Sequence, residues 1–398
     1  MSSDVKESSV GESQKALAEV ALLFLRLGFT AFGGPAAHIA MMREEIVRRR
    51  QWIADQRFVD LLGVVNLIPG PNSTELAIYL GYLRAGWAGL VVAGACFIGP
   101  AMLIVLALAW AYVTFGSAPQ VGWLLYGIKP VVIGIIAIAL VGLGRTVLRG
   151  ALPVVVGLAA LALYLLGMNT LALLFGGGLV FAALRLVVER WPMARKGKPG
   201  AALVGGMHAL RAAAASAGAA GGVAAATAPV SLLTLFLTFL KIGAVLYGSG
   251  YVLLAFLRAD FVQNLHALTD RQLLDAVSIG QFTPGPVFTT ATFIGYLVGR
   301  WPGALVATLG IFLPAFVFVP LVHRLATLLR RSPWTAAILD GVNVAALALM
   351  AGVTLQLGQS ALLDPITWGL ALVSFAVLTR FKINSAWLIA AGALVGLL

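Results

Sequence analysis

The chain has 398 residues, of which 61% are hydrophobic and 11% charged, and its mean hydropathy is +0.98. Soluble domains carry about a quarter of their residues charged, so this composition indicates an integral membrane protein. The net charge of +12 and pI near 10.3 do not point to nucleic acid: the Arg and Lys residues sit mostly between apolar runs, where membrane orientation sets them, and no basic, aromatic-interleaved soluble domain is present.

In chain order, residues 1–15 are polar, of mixed charge and without a signal-peptide pattern, and are expected to form a tail. Apolar runs follow at 86–115, 131–143, 152–166, 170–188, 302–322, 341–358 and 366–378, near the ~20 residues that span a bilayer as helix. No period-2 alternation recurs, which argues against a barrel. The single cysteine, Cys96, lies in an apolar run and cannot form an intrachain disulfide. A basic, then Ala/Gly-rich stretch at 189–230 separates a first unit, 16–188, from a second, 231–398.

The two units are copies. Phe24, Gly28, Gly33, Arg43, Asp55, Asp60 and Pro69-Gly70-Pro71 return 215 residues later as Phe239, Gly243, Gly248, Arg258, Asp270, Asp275 and Pro284-Gly285-Pro286. The shift falls to 214 from Gly81/Gly295 and persists through Trp87/Trp301, Pro100/Pro314 and Gly127/Gly341. Duplicated membrane units are the mark of a transporter. Loop by loop, one copy is basic where the other is not. Arg48, Arg49, Arg50 and Arg57 face a partner loop holding Asp260, Asp270 and Asp275, and the uncharged 116–120 connection answers a loop with Arg324, Arg330 and Arg331. Under the positive-inside rule the halves then lie inverted. The expected fold is an all-α inverted repeat of roughly 10–13 membrane helices. The Pro-Gly-Pro stretches 58–83 and 273–297 are expected to enter and leave on one face as re-entrant hairpins.

Proline between apolar helical stretches stops a helix, and broken backbone at membrane depth survives only where it is buried in protein or lines a wet cavity. Each half-helix after Pro-Gly-Pro would present free N–H groups and a positive dipole end to an anion. Small polar groups flank both breaks: Asn66, Asn72, Ser73 and Thr74 in one half, Gln281, Thr283, Thr289 and Thr290 in the other. Arg26 and Lys241 are equivalent cations inside apolar helices, where a charge is costly unless it faces a site or snorkels. Arg43 and Arg258 are also matched; the retention of Arg258 in the outward copy favours a site or an ion pair, and Glu45 and Asp260, matched as well, supply the ion-pair reading. Lys129 in an apolar run is a third candidate, replaced by Asn343 in the second half. Glu75, one turn past Pro-Gly-Pro with a threonine or alanine as counterpart, is a candidate proton carrier; capping a half-helix is the other reading. His38 follows a further break at Gly33-Gly34-Pro35 and is either structural or part of the site. No phosphate-binding loop, metal-ligand spacing or hydrolytic constellation occurs, so neither ATP hydrolysis, a cofactor nor enzyme chemistry is expected.

Phe32-Gly33-Gly34-Pro35-x-x-His38, the run 58–89 and its echo Leu273–Pro286 resemble the chromate ion transporter family in its long, two-domain form. The resemblance implies a bacterial inner-membrane protein with inverted halves that expels chromate, driven by membrane potential or proton gradient, and confers resistance. Two departures stand out: Asn66 where many members have glutamine, and Gly248-Ser249-Gly250 where the second half lacks the Gly-Gly-Pro-x-x-His motif. Sulfate, of the same charge and shape, or another tetrahedral oxyanion is the alternative substrate. A non-transporting membrane sensor or enzyme is the remaining reading, and it would need an output domain or catalytic constellation that the sequence does not show. The lipid bilayer is the other partner, and homo-oligomerisation is left open.

Overall fold

The structure, a computed structural model, describes residues 2–116, 118–190, 230–247, 250–331, 333–381 and 383–397. The first half comprises α1 (Ser2–Thr30), α2 (Gly34–Arg43) continued by a π-helical turn Glu44–Arg49, α3 (Asp55–Val65), α4 (Asn72–Phe115), α5 (Pro119–Val147), α6 (Ala151–Leu165) and α7 (Thr170–Arg190). The second comprises α8 (Leu232–Val245), α9 (Leu253–Leu257) continued by a π-helical turn Arg258–Asn264, α10 (Asp270–Phe282), α11 (Thr290–Arg331), α12 (Pro333–Ala361), α13 (Pro365–Arg380) and α14 (Ser385–Leu397). No strand occurs among the described residues. The polar stretch expected as a tail is taken into α1, whose backbone is helical from Ser2. The linker 189–230 falls almost wholly outside the described residues.

Both long helices fold back on themselves. In α4 the backbone leaves helical geometry at Ala85 (φ −140°, ψ 27°) and Gly86 (φ 60°, ψ −146°). In α11 it does so at the equivalent Gly299 (φ −132°, ψ 18°) and Arg300 (φ 55°, ψ −147°). The arms of each hairpin touch backbone to backbone, Gly81 on Gly89 and Gly295 on Gly303, where a Cβ would overlap the facing carbonyl. Each short arm, 72–84 or 290–298, therefore reaches about half a bilayer, while the long arms 87–115 and 301–331 cross it at about 1.5 Å per residue.

The short arm leaves where α3 enters. Arg84, at its end, binds Glu19 (2.7 Å) and lies over the Trp52 ring that precedes α3, with Arg50 beside the same ring. The Pro-Gly-Pro element of the first half is thus re-entrant from a face carrying Arg48, Arg49, Arg50, Arg57 and Arg84, the basic face. The long arms of α4 and α11 run antiparallel. Tyr79 bonds His323 late in α11 (2.7 Å), while its counterpart Phe293 meets Tyr112 late in α4, with ring centroids 5.3 Å apart. The halves are therefore inverted, as the loop charges indicate.

They also interlock. α5 packs on α13 and α14 of the other half, and α12 on α6 and α7. Small residues permit this: Gly127 sits on the backbone of Gly392 and Gly396, and Gly341 on that of Gly178. Leu158, Leu179, Leu309 and Val317 lie exposed on the outer surface, where lipid covers apolar side chains. Exposed Trp87 and Trp334 begin helices at the basic face, and exposed Trp123 and Trp301 begin helices at the opposite one, as expected of interfacial anchors.

Candidate functional site

The centre of the molecule is a reciprocal clasp between the two Pro-Gly-Pro breaks. Gly70 N–H donates to Leu246 O (2.7 Å), and Gly285 N–H donates to Ala31 O (2.8 Å). Ala31 and Leu246 are themselves repeat equivalents, the residues at which α1 and α8 end. Both glycines need positive φ, 136° and 85°, and Pro35 comes alongside its counterpart Gly250 nearby. The clasp changes one expectation: the glycine N–H groups do not face an anion, because each is spent on the opposite half. The first turn after each break is also partly closed, with Glu75 N–H and Thr74 N–H on Pro71 O and Thr289 N–H on Pro286 O. Pro69, Gly70 and Pro71, with Pro284, Gly285 and Pro286, build the break and join the halves.

Two polar side chains lie behind the clasp. His38 is buried, its Nε2 3.0 Å from Ala31 O and its Nδ1 3.3 Å from Ser73 Oγ. A carbonyl only accepts, so Nε2 carries the proton and the ring braces the same Ala31 carbonyl that receives Gly285. Glu75 is fully buried, neither carboxyl oxygen has a hydrogen-bond partner, and Oε1 lies against Gly70. An ionised carboxylate held this way costs several kcal/mol.

The four matched cations all have carboxylate partners, again in symmetric pairs. Arg43 makes a bidentate pair with Asp55 (2.7 and 2.6 Å), and Arg258 does so with Asp270 (2.7 and 3.0 Å). Arg26 lies 3.6 Å from Glu45, and Lys241 lies 2.6 Å from Asp260. The acidic partner of Arg43 and Arg258 is thus not Glu45 or Asp260. Each guanidinium ties the point where the π-helical turn begins to the start of the next helix, twelve residues on, and none of the four cations lines the cavity described next.

A cavity of about 800 Å³ reaches from the basic face to the first break, lined among others by Asn66, Asn72, Thr146, Arg149, Arg185 and Asn343. Asn72 Nδ2 donates to Asn66 Oδ1 (2.8 Å), which leaves the Asn66 amide hydrogens and one from Asn72 free. Arg185 meets Asp340 (2.5 Å), whereas Arg149 has no ion pair among the described residues. Amide and guanidinium donors around an open cavity suit a tetrahedral oxyanion. The second break differs: Gln281, the counterpart of Asn66, is 7% exposed, and its Oε1 faces Tyr251 OH at 3.4 Å while Nε2 has no partner.

Asn66, Asn72 and the first Pro-Gly-Pro are brought together at this cavity, with Glu75 and His38 just behind. Neither Arg149 nor Arg185 is among the site candidates that the sequence offers: Arg149 sits in the short connection between two apolar runs, while Arg185, a cation inside the apolar run 170–188, carries the same signal that marks Arg26. Among the described residues no group of three or more His, Cys, Asp or Glu gathers as metal ligands would.

A family model described as chromate transporter matches residues 18–182 and again 233–397. A chromate transport protein of Cupriavidus metallidurans is 35% identical over 96% of this chain and 92% of its own length. A probable chromate transport protein of Synechococcus elongatus is 30% identical over 93% and 91%, and a chromate transport protein of Pseudomonas aeruginosa 31% identical over 94% and 90%. No solved structure matches.

Proposed function

The chain belongs to the chromate transporter family, and on that footing we propose that it is a secondary transporter carrying chromate out of a bacterial cytoplasm across the inner membrane, thereby conferring resistance. The observation that carries the reading is the cavity: it opens on the face with the basic loops, the cytoplasmic face by the positive-inside rule, and it ends at the first Pro-Gly-Pro break. The substrate enters as a dianion, guided by Arg149, and exchanges water for the amides of Asn66 and Asn72. Gln281 and Tyr251 take the equivalent position when the second half opens. Arg26, Arg43, Lys241 and Arg258 act in this scheme as braces that keep each half rigid as it moves.

The energetics favour export. A charge crossing 100 mV gains about 2.3 kcal/mol, so a dianion leaving a negative interior gains about 4.6 kcal/mol from the potential alone. An ionised carboxylate is costly inside the closed clasp, so Glu75 carries its proton while the clasp is closed and exchanges it with water when the hairpin opens. The same donors suit sulfate, which is the alternative substrate.

The test is the concentration dependence of chromate uptake by everted vesicles. Each charged hydrogen bond contributes about 1.5–3 kcal/mol, so Arg149→Ala and Asn66→Ala should each raise half-saturation about tenfold or more. Unchanged half-saturation in both, at normal protein levels, moves the site out of this cavity.

A further inference from the structure

The inverted halves are chemically different at the same depth. Around the first break the equivalent groups are open or partly so: Asn66 is exposed, and Asp60 and Asn343 are half-buried. Around the second break their counterparts Gln281, Asp275 and Lys129 are 7%, 2% and 7% exposed. Three side chains from three helices account for the closure. Lys129 Nζ, on α5, lies 2.7 Å from Asp275 Oδ1, on α10, and Tyr112 OH, near the end of α4, donates to Asp275 Oδ2 at 2.9 Å. The ammonium is close enough for a full ion pair but off the hydrogen-bonding direction of that oxygen, which accepts no aligned hydrogen bond.

We propose that Lys129, Asp275 and Tyr112 form a latch that closes the face opposite the basic loops. Lys129, freed from Asp275, then becomes a substrate-binding cation of the state open to that face. Three facts support this. First, the cluster lies between the second Pro-Gly-Pro element and the face bearing the uncharged α4–α5 connection: Asp275 is on the second turn of α10, and Tyr112 on the last turn of α4. Second, in an inverted repeat the outward state is obtained by exchanging the conformations of the two halves, which puts Lys129 where Asn343 now lines the cavity. Third, a buried ion pair is held only while both partners stay together; a dianion can replace Asp275 on Lys129, so that opening leaves no charge stranded. The first half has no such latch, because Asn343 cannot pair with Asp60, and its side stands open.

The inference rests on the transport reading, but its test does not use transport. In a Cys96→Ala background, Thr283→Cys, a buried position beside the second break, is labelled with a membrane-impermeant maleimide from the face of the 116–118 connection. Asp275→Asn should accelerate labelling about tenfold, and Tyr112→Phe, which removes one hydrogen bond and little volume, should do so by a smaller factor. Saturating chromate should slow labelling again in the Tyr112→Phe protein, where Lys129 is intact. Unchanged labelling in Tyr112→Phe overturns the latch, whether or not Asp275→Asn accumulates. Acceleration without slowing by chromate or sulfate overturns the substrate role of Lys129. An absence of chromate flux in vesicles alongside accelerated labelling would count against the transport reading alone.

Discussion

Gly70→Ala and Gly285→Ala are each expected to be strongly damaging, because a backbone strain and a steric overlap coincide at both positions. At Gly70 the backbone has φ 136° and a Cβ would overlap Glu75 Oε1; at Gly285 φ is 85° and a Cβ would lie 2.6 Å from Ala101 Cβ and 3.3 Å from Gly28 O. Positive φ costs an L residue about 1–3 kcal/mol, and overpacking typically costs a further 1–3 kcal/mol or so. Neither site can relax alone, since its N–H is bonded across the halves to Leu246 or Ala31. Each variant should lose most of its folded protein in the membrane and melt well below the parent in detergent. Gly142→Ala and Gly176→Ala, at helical glycines where a Cβ meets nothing within 4 Å, should match the parent. Equal melting of all four would contradict the clasp.

Glu75→Gln is expected to separate two driving forces. The glutamine has nearly the same shape and is neutral, so the closed hairpin persists and chromate still follows an imposed membrane potential. The response to a pH gradient should disappear. A gradient of one pH unit stores about 1.4 kcal/mol per proton, enough to change the parent's accumulation ratio about tenfold for one coupled proton at fixed potential. The same tenfold response in Glu75→Gln would remove the carboxyl from coupling.

Much of this architecture is legible in the sequence because duplication repeats each signal. Pro-Gly-Pro at a 215-residue spacing fixes the two breaks, and Gly33-Gly34-Pro35 marks the end of α1. Complementary loop charges give the inversion that the antiparallel long arms of α4 and α11 display. Other features depend on contacts between residues far apart in sequence. The carboxylate belonging to Arg43 is Asp55, because the helical run ends at Arg49 and the chain turns at 50–54, with Gln51 at φ 52°, before α3 begins; Glu45, nearer in sequence, lies instead beside Arg26. The N–H groups of Gly70 and Gly285 look free in each half taken alone, and only the meeting of the halves consumes them. Arg149 lies in a short connection between apolar runs and becomes a site residue only because α12 brings Asn343 and Asp340 to the same cavity. The asymmetry that leaves Asn66 open and Gln281 closed belongs to the conformation, and the sequence carries only its chemical basis, Lys129 against Asn343.

The most direct test of the account is uptake of labelled chromate by everted vesicles with an imposed interior-positive potential, with and without a protonophore and with excess sulfate. The account predicts uptake that requires the protein, collapses when the gradients are dissipated, and falls under sulfate in proportion to its share of the same donors. No chromate uptake by vesicles that contain the folded protein would contradict it.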